Sequence, residues 1–149
     1  ADERAVGSLI CFDSIYDTLA LSSVNAGADW IALPTNDSWF SDSAAIHMHY
    51  AQAKLRAVET GRYIVRAGNT GISGIITDKG ADITTLAPLR EGYVFGEIVP
   101  TGSRTLYSYI GNIFVLFCLA FPLSELALSI IGGIGEKKKD DNGGNKNDT

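Results

Sequence analysis

Val6-Gly7-Ser8-Leu9-Ile10-Cys11-Phe12-Asp13-Ser14 decides how the rest of the chain is read. A short apolar run ends abruptly at a cysteine, and a polar, helix-starting residue follows two positions later. This suits a buried strand over residues 5–10 that delivers Cys11 to the rim of a sheet, with a helix beginning at once. Asp13 or Ser14 can cap that helix by accepting a hydrogen bond from its unpaired N–H groups. A thiol held there lies near the positive end of the helix dipole, which favours thiolate and so a nucleophile. The plainer reading is a small buried cysteine at a strand end, the setting of most free cysteines. This stretch by itself favours the plainer reading.

Working outward, Asp13 to about Ala26 reads as a helix with Ile15, Leu19, Ala20 and Val24 apolar and Gly27 as its stop. Trp30 to Leu33 reads as a second apolar strand, ended by Pro34. The loop from Thr35 to Ser43 is dense in turn formers yet carries Trp39 and Phe40. That aromatic pair suits a core plug better than the other option, an apolar entrance for a lipid chain. Ala44 to Thr60 is strongly amphipathic, with Ile46, Tyr50, Ala53 and Ala57 toward the core and Lys54, Arg56 and Glu59 outward. His47 and His49 are two apart, hence on different helix faces, and read as surface features near a helix start, not as a metal pair. Strands are expected over 63–67, 72–77, 81–86 and 93–99, with a turn at Asn69-Thr70-Gly71 and a hairpin through Asp78-Lys79-Gly80. Strand–helix–strand–helix–strand followed by a meander predicts a mixed α/β layered domain.

The 149 residues carry a net charge of −5, and their only basic cluster is near the C-terminus. Nucleic acid is therefore not an expected partner. Cys11 and Cys118 form no disulfide framework, and there is no CxxC or zinc spacing, so no metal and no cofactor are expected. The opening Ala1-Asp2-Glu3-Arg4 has neither an initiator Met nor a signal-peptide pattern, and the chain reads as a piece of something longer. From Ile110 to Ile131 the composition becomes almost wholly apolar, and a helix over that stretch is roughly 33 Å long, enough to cross a bilayer. Pro122 and Glu125 are its irregularities. Glu136-Lys137-Lys138-Lys139 follows, marking the cytoplasmic end by the positive-inside rule, and the α/β domain then lies on the extracytoplasmic face. The expected organisation is a catalytic domain over 1–105, a transmembrane helix over 106–133 and a disordered polar cytoplasmic tail over 134–149.

Taken together, several stretches resemble the nitrilase, or carbon–nitrogen hydrolase, superfamily, and within it the apolipoprotein N-acyltransferase branch. They are Leu9-Ile10-Cys11-Phe12-Asp13, the loop Thr35-Asn36-Asp37-Ser38-Trp39-Phe40-Ser41-Asp42-Ser43, and His49 with Ala53-Lys54-Leu55-Arg56-Ala57-Val58-Glu59. Arg66-Ala67-Gly68-Asn69-Thr70-Gly71-Ile72-Ser73 completes the set. The Asn-Asp-x-Trp-Phe loop, the Leu-Arg-Ala helix and Asn-Thr-Gly-Ile-Ser point to the acyltransferase branch.

The resemblance makes Cys11 the favoured nucleophile. It implies the C-terminal half of an αββα sandwich followed by one transmembrane helix, in a bacterial inner membrane with the catalytic domain outside the cytoplasm. The implied reaction is ping-pong acyl transfer. A fatty acyl chain passes from a phospholipid to Cys11 as a thioester, then to the α-amine of a lipoprotein's diacylglyceryl-modified N-terminal cysteine. Phe12 and Asp13 would lie beside the oxyanion, and Asn36, Asp37, Trp39 and Phe40 would form the substrate loop. The family's triad Glu and Lys lie upstream of the cysteine, before this chain begins, and Glu3 is too close to the cysteine strand to replace the Glu. Phe12 stands where Tyr is common, Asp13 where Glu is, and Ser41 where Gly is usual. A membrane-tethered amidase, or a non-catalytic remnant that binds lipid or a partner, are the alternatives.

Overall fold

The computed structural model describes residues 4–100 and 102–143, with side chains as far as Ile131. It divides into two units that meet in sequence at Tyr109 and Ile110. In the first, the apolar runs become β1 (Val6–Ser8), β2 (Trp30–Asn36), β3 (Tyr63–Asn69), β4 (Ser73–Ile76) and β5 (Asp82–Leu86). Helix α1 (Asp17–Asn25) links β1 to β2, and α2 (Ala44–Thr60) links β2 to β3. The sheet order is β1-β2-β3-β4-β5. The helical crossovers leave β1, β2 and β3 parallel, whereas the short turns after β3 and β4 force antiparallel pairing.

Two consecutive right-handed crossovers place both helices on one sheet face, and α1 and α2 touch. Strand alternation then sends Ile31, Leu33 and Thr35 of β2, and Ile64 and Arg66 of β3, into that layer, where all are buried. Ala20 and Val24 from α1 meet them, with Ile46, Ala53 and Ala57 from α2. Helix α2 has the expected bounds and ends at Gly61, whose φ of 63° is the left-handed cap that glycine adopts without strain. On the other face the row Val6, Trp30, Tyr63 and the row Ser8, Ala32, Val65 are only half-buried or exposed.

Three elements of this unit depart from the sequence expectation. The helix expected from Asp13 is split into a 3-10 turn over Cys11–Ile15 and then α1, with Tyr16 extended between them. Local bonds explain the break: Asp13 Oδ2 accepts the Ile10 N–H at 2.9 Å, and the Ser14 hydroxyl donates to the Cys11 carbonyl at 3.0 Å. Strand β2 continues through Pro34. The β1 ladder stops at Ser8, opposite Ala32, so the ladder position facing the proline's missing N–H is vacant. Residues 93–99 form no strand; Tyr93 and Phe95 are exposed and their rings face each other at 6.4 Å. Alternating residues need a ladder partner and a surface to bury against, and β5 is the last strand in the sheet.

After the sheet, residues 103–108 return to the helices. Ser103 accepts a hydrogen bond from Arg62, Thr105 donates to the Glu59 carbonyl, and the Tyr107 hydroxyl donates to Asp17 at 2.6 Å. That last bond holds the Asp17 carboxyl below its ordinary value. Short helix α3 (Leu106–Ile110) precedes the long α4 (Ile113–Gly143). The stretch Ile113–Ile131 of α4 is long and apolar enough to cross a membrane, and it contains Pro122. Helix α4 runs beyond the expected end near residue 133. The rest of the expected tail, 144–149, lies outside the described residues.

Candidate active site

Cys11, Asn36 and Asn69 come together because β1, β2 and β3 are parallel neighbours, so their carboxyl ends share one edge. That edge is where α/β sheets place their chemistry, since the chain turns away there and leaves a crevice. Leu9 extends the β1 contact by donating its N–H to the Ala32 carbonyl at 3.0 Å. The chain then turns sharply, and Cys11 takes a φ of 51°, a left-handed conformation that costs a non-glycine residue about 1–2 kcal/mol. A strained turn directly after a strand is how a nucleophile is thrust out of a sheet. The half-buried thiol donates to the Asn36 carbonyl at 3.7 Å. Asn36 is in turn fixed by its side-chain oxygen, which accepts from Asn69 Nδ2 and from the Ser38 N–H, each at 3.2 Å.

Beneath this turn lies a buried polar chain. Arg66 enters the core because it shares the face of Ile64 in β3. Its Nη2 donates to Asp37 Oδ2 at 2.6 Å, and both side chains are fully buried. Arg66 Nε also donates to the Ile72 carbonyl at 3.1 Å. Burial pulls the guanidinium below its ordinary value, and the Asp37 carboxylate works against that shift. The other Asp37 oxygen accepts from His49 Nδ1 at 2.8 Å. The far edge of the ring, Nε2, then lies 3.1 Å from Ser14 Oγ and 3.2 Å from the Cys11 carbonyl oxygen. His49 is therefore a buried residue under the elbow, not the surface feature its pairing with His47 suggested. Its position three after Ile46 and four before Ala53 carried that signal. Arg56, expected outward, is also buried: it pairs with Glu59 at 3.0 Å and donates to the Ile15 carbonyl at 3.2 Å.

The other residues singled out in the sequence divide by position. Phe12 is exposed, with its ring 5.9 Å from that of His49. Trp39 is 78% exposed and so plugs nothing, whereas Phe40 packs on the core and meets His49 edge-on at 5.9 Å. Asp37 lies under the loop and holds it from below. Phe12, Ile15, Phe40, Ala45 and Met48 line a shallow, mostly apolar cavity of about 250 Å³ beside the elbow. Ser41 has a φ of 48°, the geometry a glycine would accept freely. Among the described residues, no three His, Cys, Asp or Glu side chains converge as metal ligands.

The family profile for carbon–nitrogen hydrolases matches residues 2–107, nearly all of the unit that carries this site. The chain belongs to the carbon–nitrogen hydrolase family. As a carbon–nitrogen hydrolase domain it is 40% identical, over 83% of the chain, to an apolipoprotein N-acyltransferase of Methylococcus capsulatus, covering 23% of that protein. It is 36% identical, over 83% of the chain, to an apolipoprotein N-acyltransferase of Geobacter metallireducens, covering 24% of it. The chain thus spans under a quarter of the length of these curated relatives. A carbon–nitrogen hydrolase from Helicobacter pylori superposes with a TM-score of 0.52 at 13% identity, over 58% of this chain and 37% of its own. An amidase from Nesterenkonia sp. gives 0.50 at 20% identity, over 57% of this chain and 34% of its own. These two establish the nitrilase-like fold of the domain.

Proposed function

We propose that this chain is the nucleophile-bearing portion of a membrane acyltransferase that N-acylates lipoproteins. The observation that carries the reading is Cys11 at a left-handed elbow on the carboxyl edge of β1–β3, within a domain 40% identical to a named apolipoprotein N-acyltransferase. The Cys11 thiolate attacks the ester carbonyl of a phospholipid acyl chain. The tetrahedral oxyanion is held in part by the main-chain N–H of Phe12, with Asp13 beside it, and collapses to a thioester as the lysolipid alcohol leaves. The α-amine of a diacylglyceryl-modified cysteine then attacks the thioester and regenerates the thiol. Asn36 and Asp37 set the loop that receives substrate, with Trp39 offering an apolar face to lipid and Phe40 backing it.

In this reading a proton-shuttling Glu and an oxyanion-holding Lys lie outside these 149 residues, and this portion completes its site with the remainder of a larger sandwich. Segment Ile113–Ile131 anchors it in the bacterial inner membrane, domain outside and C-terminus cytoplasmic.

The test is a chimera in which this chain replaces the matching C-terminal part of the Methylococcus capsulatus relative, supplied to a bacterium depleted of its own enzyme. Lipoproteins should gain a third acyl chain, and Cys11→Ala should abolish the gain. A chimera that reaches the membrane, folds and releases only free fatty acid would instead assign it hydrolysis. The chain alone should be nearly inactive, since a general base and an oxyanion donor each contribute roughly two or more powers of ten. Robust turnover by the chain alone, lost in Cys11→Ala, would overturn the placement of Glu and Lys elsewhere.

A further inference from the structure

We propose that His49 is a positioning residue for the nucleophile: held at one edge by Asp37, it packs its other edge against the Cys11 carbonyl and the Ser14 hydroxyl bonded to it, and so retains the elbow that aims the thiol. This rests on the reading of Cys11 as the nucleophile. The elbow costs free energy, because a cysteine at a φ of 51° relaxes toward ordinary backbone unless something retains it. What retains it is visible at its carbonyl oxygen. The Ser14 hydroxyl donates to that oxygen at 3.0 Å, and His49 Nε2 lies 3.2 Å from the oxygen and 3.1 Å from Ser14 Oγ. The ring cannot turn away, since Nδ1 is bound to Asp37 Oδ1 at 2.8 Å and Phe12 and Phe40 both lie 5.9 Å from it. Asp37 cannot turn either, because Arg66 holds its second oxygen at 2.6 Å. The chain Arg66–Asp37–His49–Ser14 thus runs from the middle of the sheet to the nucleophile's own peptide. None of its members needs to touch substrate.

Two near-isosteric variants separate positioning from mere support of the core. Gln at 49 keeps an amide hydrogen-bonding group where Nε2 lies and gives up the Asp37 contact; Asn keeps the Asp37 contact and ends short of the elbow. Each is made in a Cys118→Ser background in the detergent-solubilised whole chain, with folding followed by circular dichroism. Cys11 alkylation by iodoacetamide should stay within about threefold of wild type in His49→Gln and depart by more than threefold in His49→Asn, the scale of one lost hydrogen bond. Acyl loading from a p-nitrophenyl fatty ester should follow the same order. The maximal loading rate should fall about tenfold in His49→Asn while the half-saturating ester concentration holds.

The opposite order, or equal behaviour of the two folded variants, overturns the proposal, because a residue that only supports Asp37 is better replaced by Asn. If His49→Asn does not fold, Ser14→Ala carries the test: an alkylation rate unchanged from wild type overturns the proposal, and a change beyond twofold supports it. The predicted alkylation order with no acyl loading by any variant upholds positioning and removes the acyl-transfer reading. Normal loading and alkylation by folded His49→Asn does the reverse.

Discussion

Gly71→Ala is a one-methyl change whose effect follows from distances. A Cβ at position 71 would lie 2.0 Å from Asp37 Oδ2, 2.7 Å from its Cγ and 2.9 Å from its Cβ. Non-bonded heavy atoms rest at about 3.5 Å or more, so the carboxylate must retreat by over about 1 Å. Yet the same oxygen accepts Arg66 at 2.6 Å and its twin accepts His49 at 2.8 Å. Neither bond survives such a shift, and Arg66, fully buried, is left without its counter-charge. Breaking a buried ion pair costs about 3–5 kcal/mol, out of a total stability of roughly 5–15 kcal/mol for a domain. Gly27→Ala is the control: its Cβ meets nothing within 4 Å, and only its φ of 99° is strained, at about 1–2 kcal/mol. Urea unfolding of the chain in detergent micelles, followed by the fluorescence of Trp30 and Trp39, ranks the two. Gly71→Ala should lose at least about 2 kcal/mol more than Gly27→Ala, and Cys11 should load acyl ester more slowly. Equal stabilities, with Cys11 loading unchanged, would refute the reasoning that Gly71 exists to admit the Asp37 carboxylate.

Trp39→Ala should leave the free energy of unfolding within about 0.5 kcal/mol of wild type, because the side chain is exposed, while slowing acyl loading from lipid micelles; equal loading removes Trp39 from the substrate loop. Ser41→Gly should stabilise the domain by up to about 1 kcal/mol, since a left-handed strain is relieved against the greater chain entropy of glycine. A loss of stability in the same urea experiment contradicts that. The Tyr50 phenol, buried and bonded to Asp82 at 2.8 Å, titrates above its ordinary value, first through burial and then through that carboxylate. The unfolded chain therefore gives up this proton first, near pH 10, so the contribution is whole below that pH and lost as pH rises beyond it. Stability measured from pH 9 upward should fall less steeply in Tyr50→Phe than in wild type.

Local pattern made the core of this fold legible. Ala44–Thr60 announces itself by spacing and by Gly61, and the alternation of helix and strand requires the parallel β1–β2–β3 edge on which Cys11 stands. The neighbourhood of Cys11 was less legible, because it depends on contacts between residues far apart in the chain. Arg66 on the Ile64 face of a strand demands a counter-charge, but only the folded register supplies Asp37 from the loop after β2. His49 reads as half of a surface pair with His47, although its helical phase lies with Ile46 and Ala53. The helix expected at Asp13 begins later because Asp13 and Ser14 satisfy local backbone groups, a competition that periodicity does not register. Residues 93–99 alternate like a strand, and no ladder receives them.

The central claim is that Cys11 is the acyl-accepting nucleophile, and peptide mass spectrometry after incubation with a p-nitrophenyl fatty ester tests it most directly. Such an ester needs no proton on its leaving group, so loading does not wait on a distant Glu. One acyl mass is expected on the Cys11 peptide, removed by neutral hydroxylamine as a thioester is, and absent from Cys11→Ala. A folded chain whose acyl mass lies only on Cys118 or on lysines, or that acquires none at all, would contradict it.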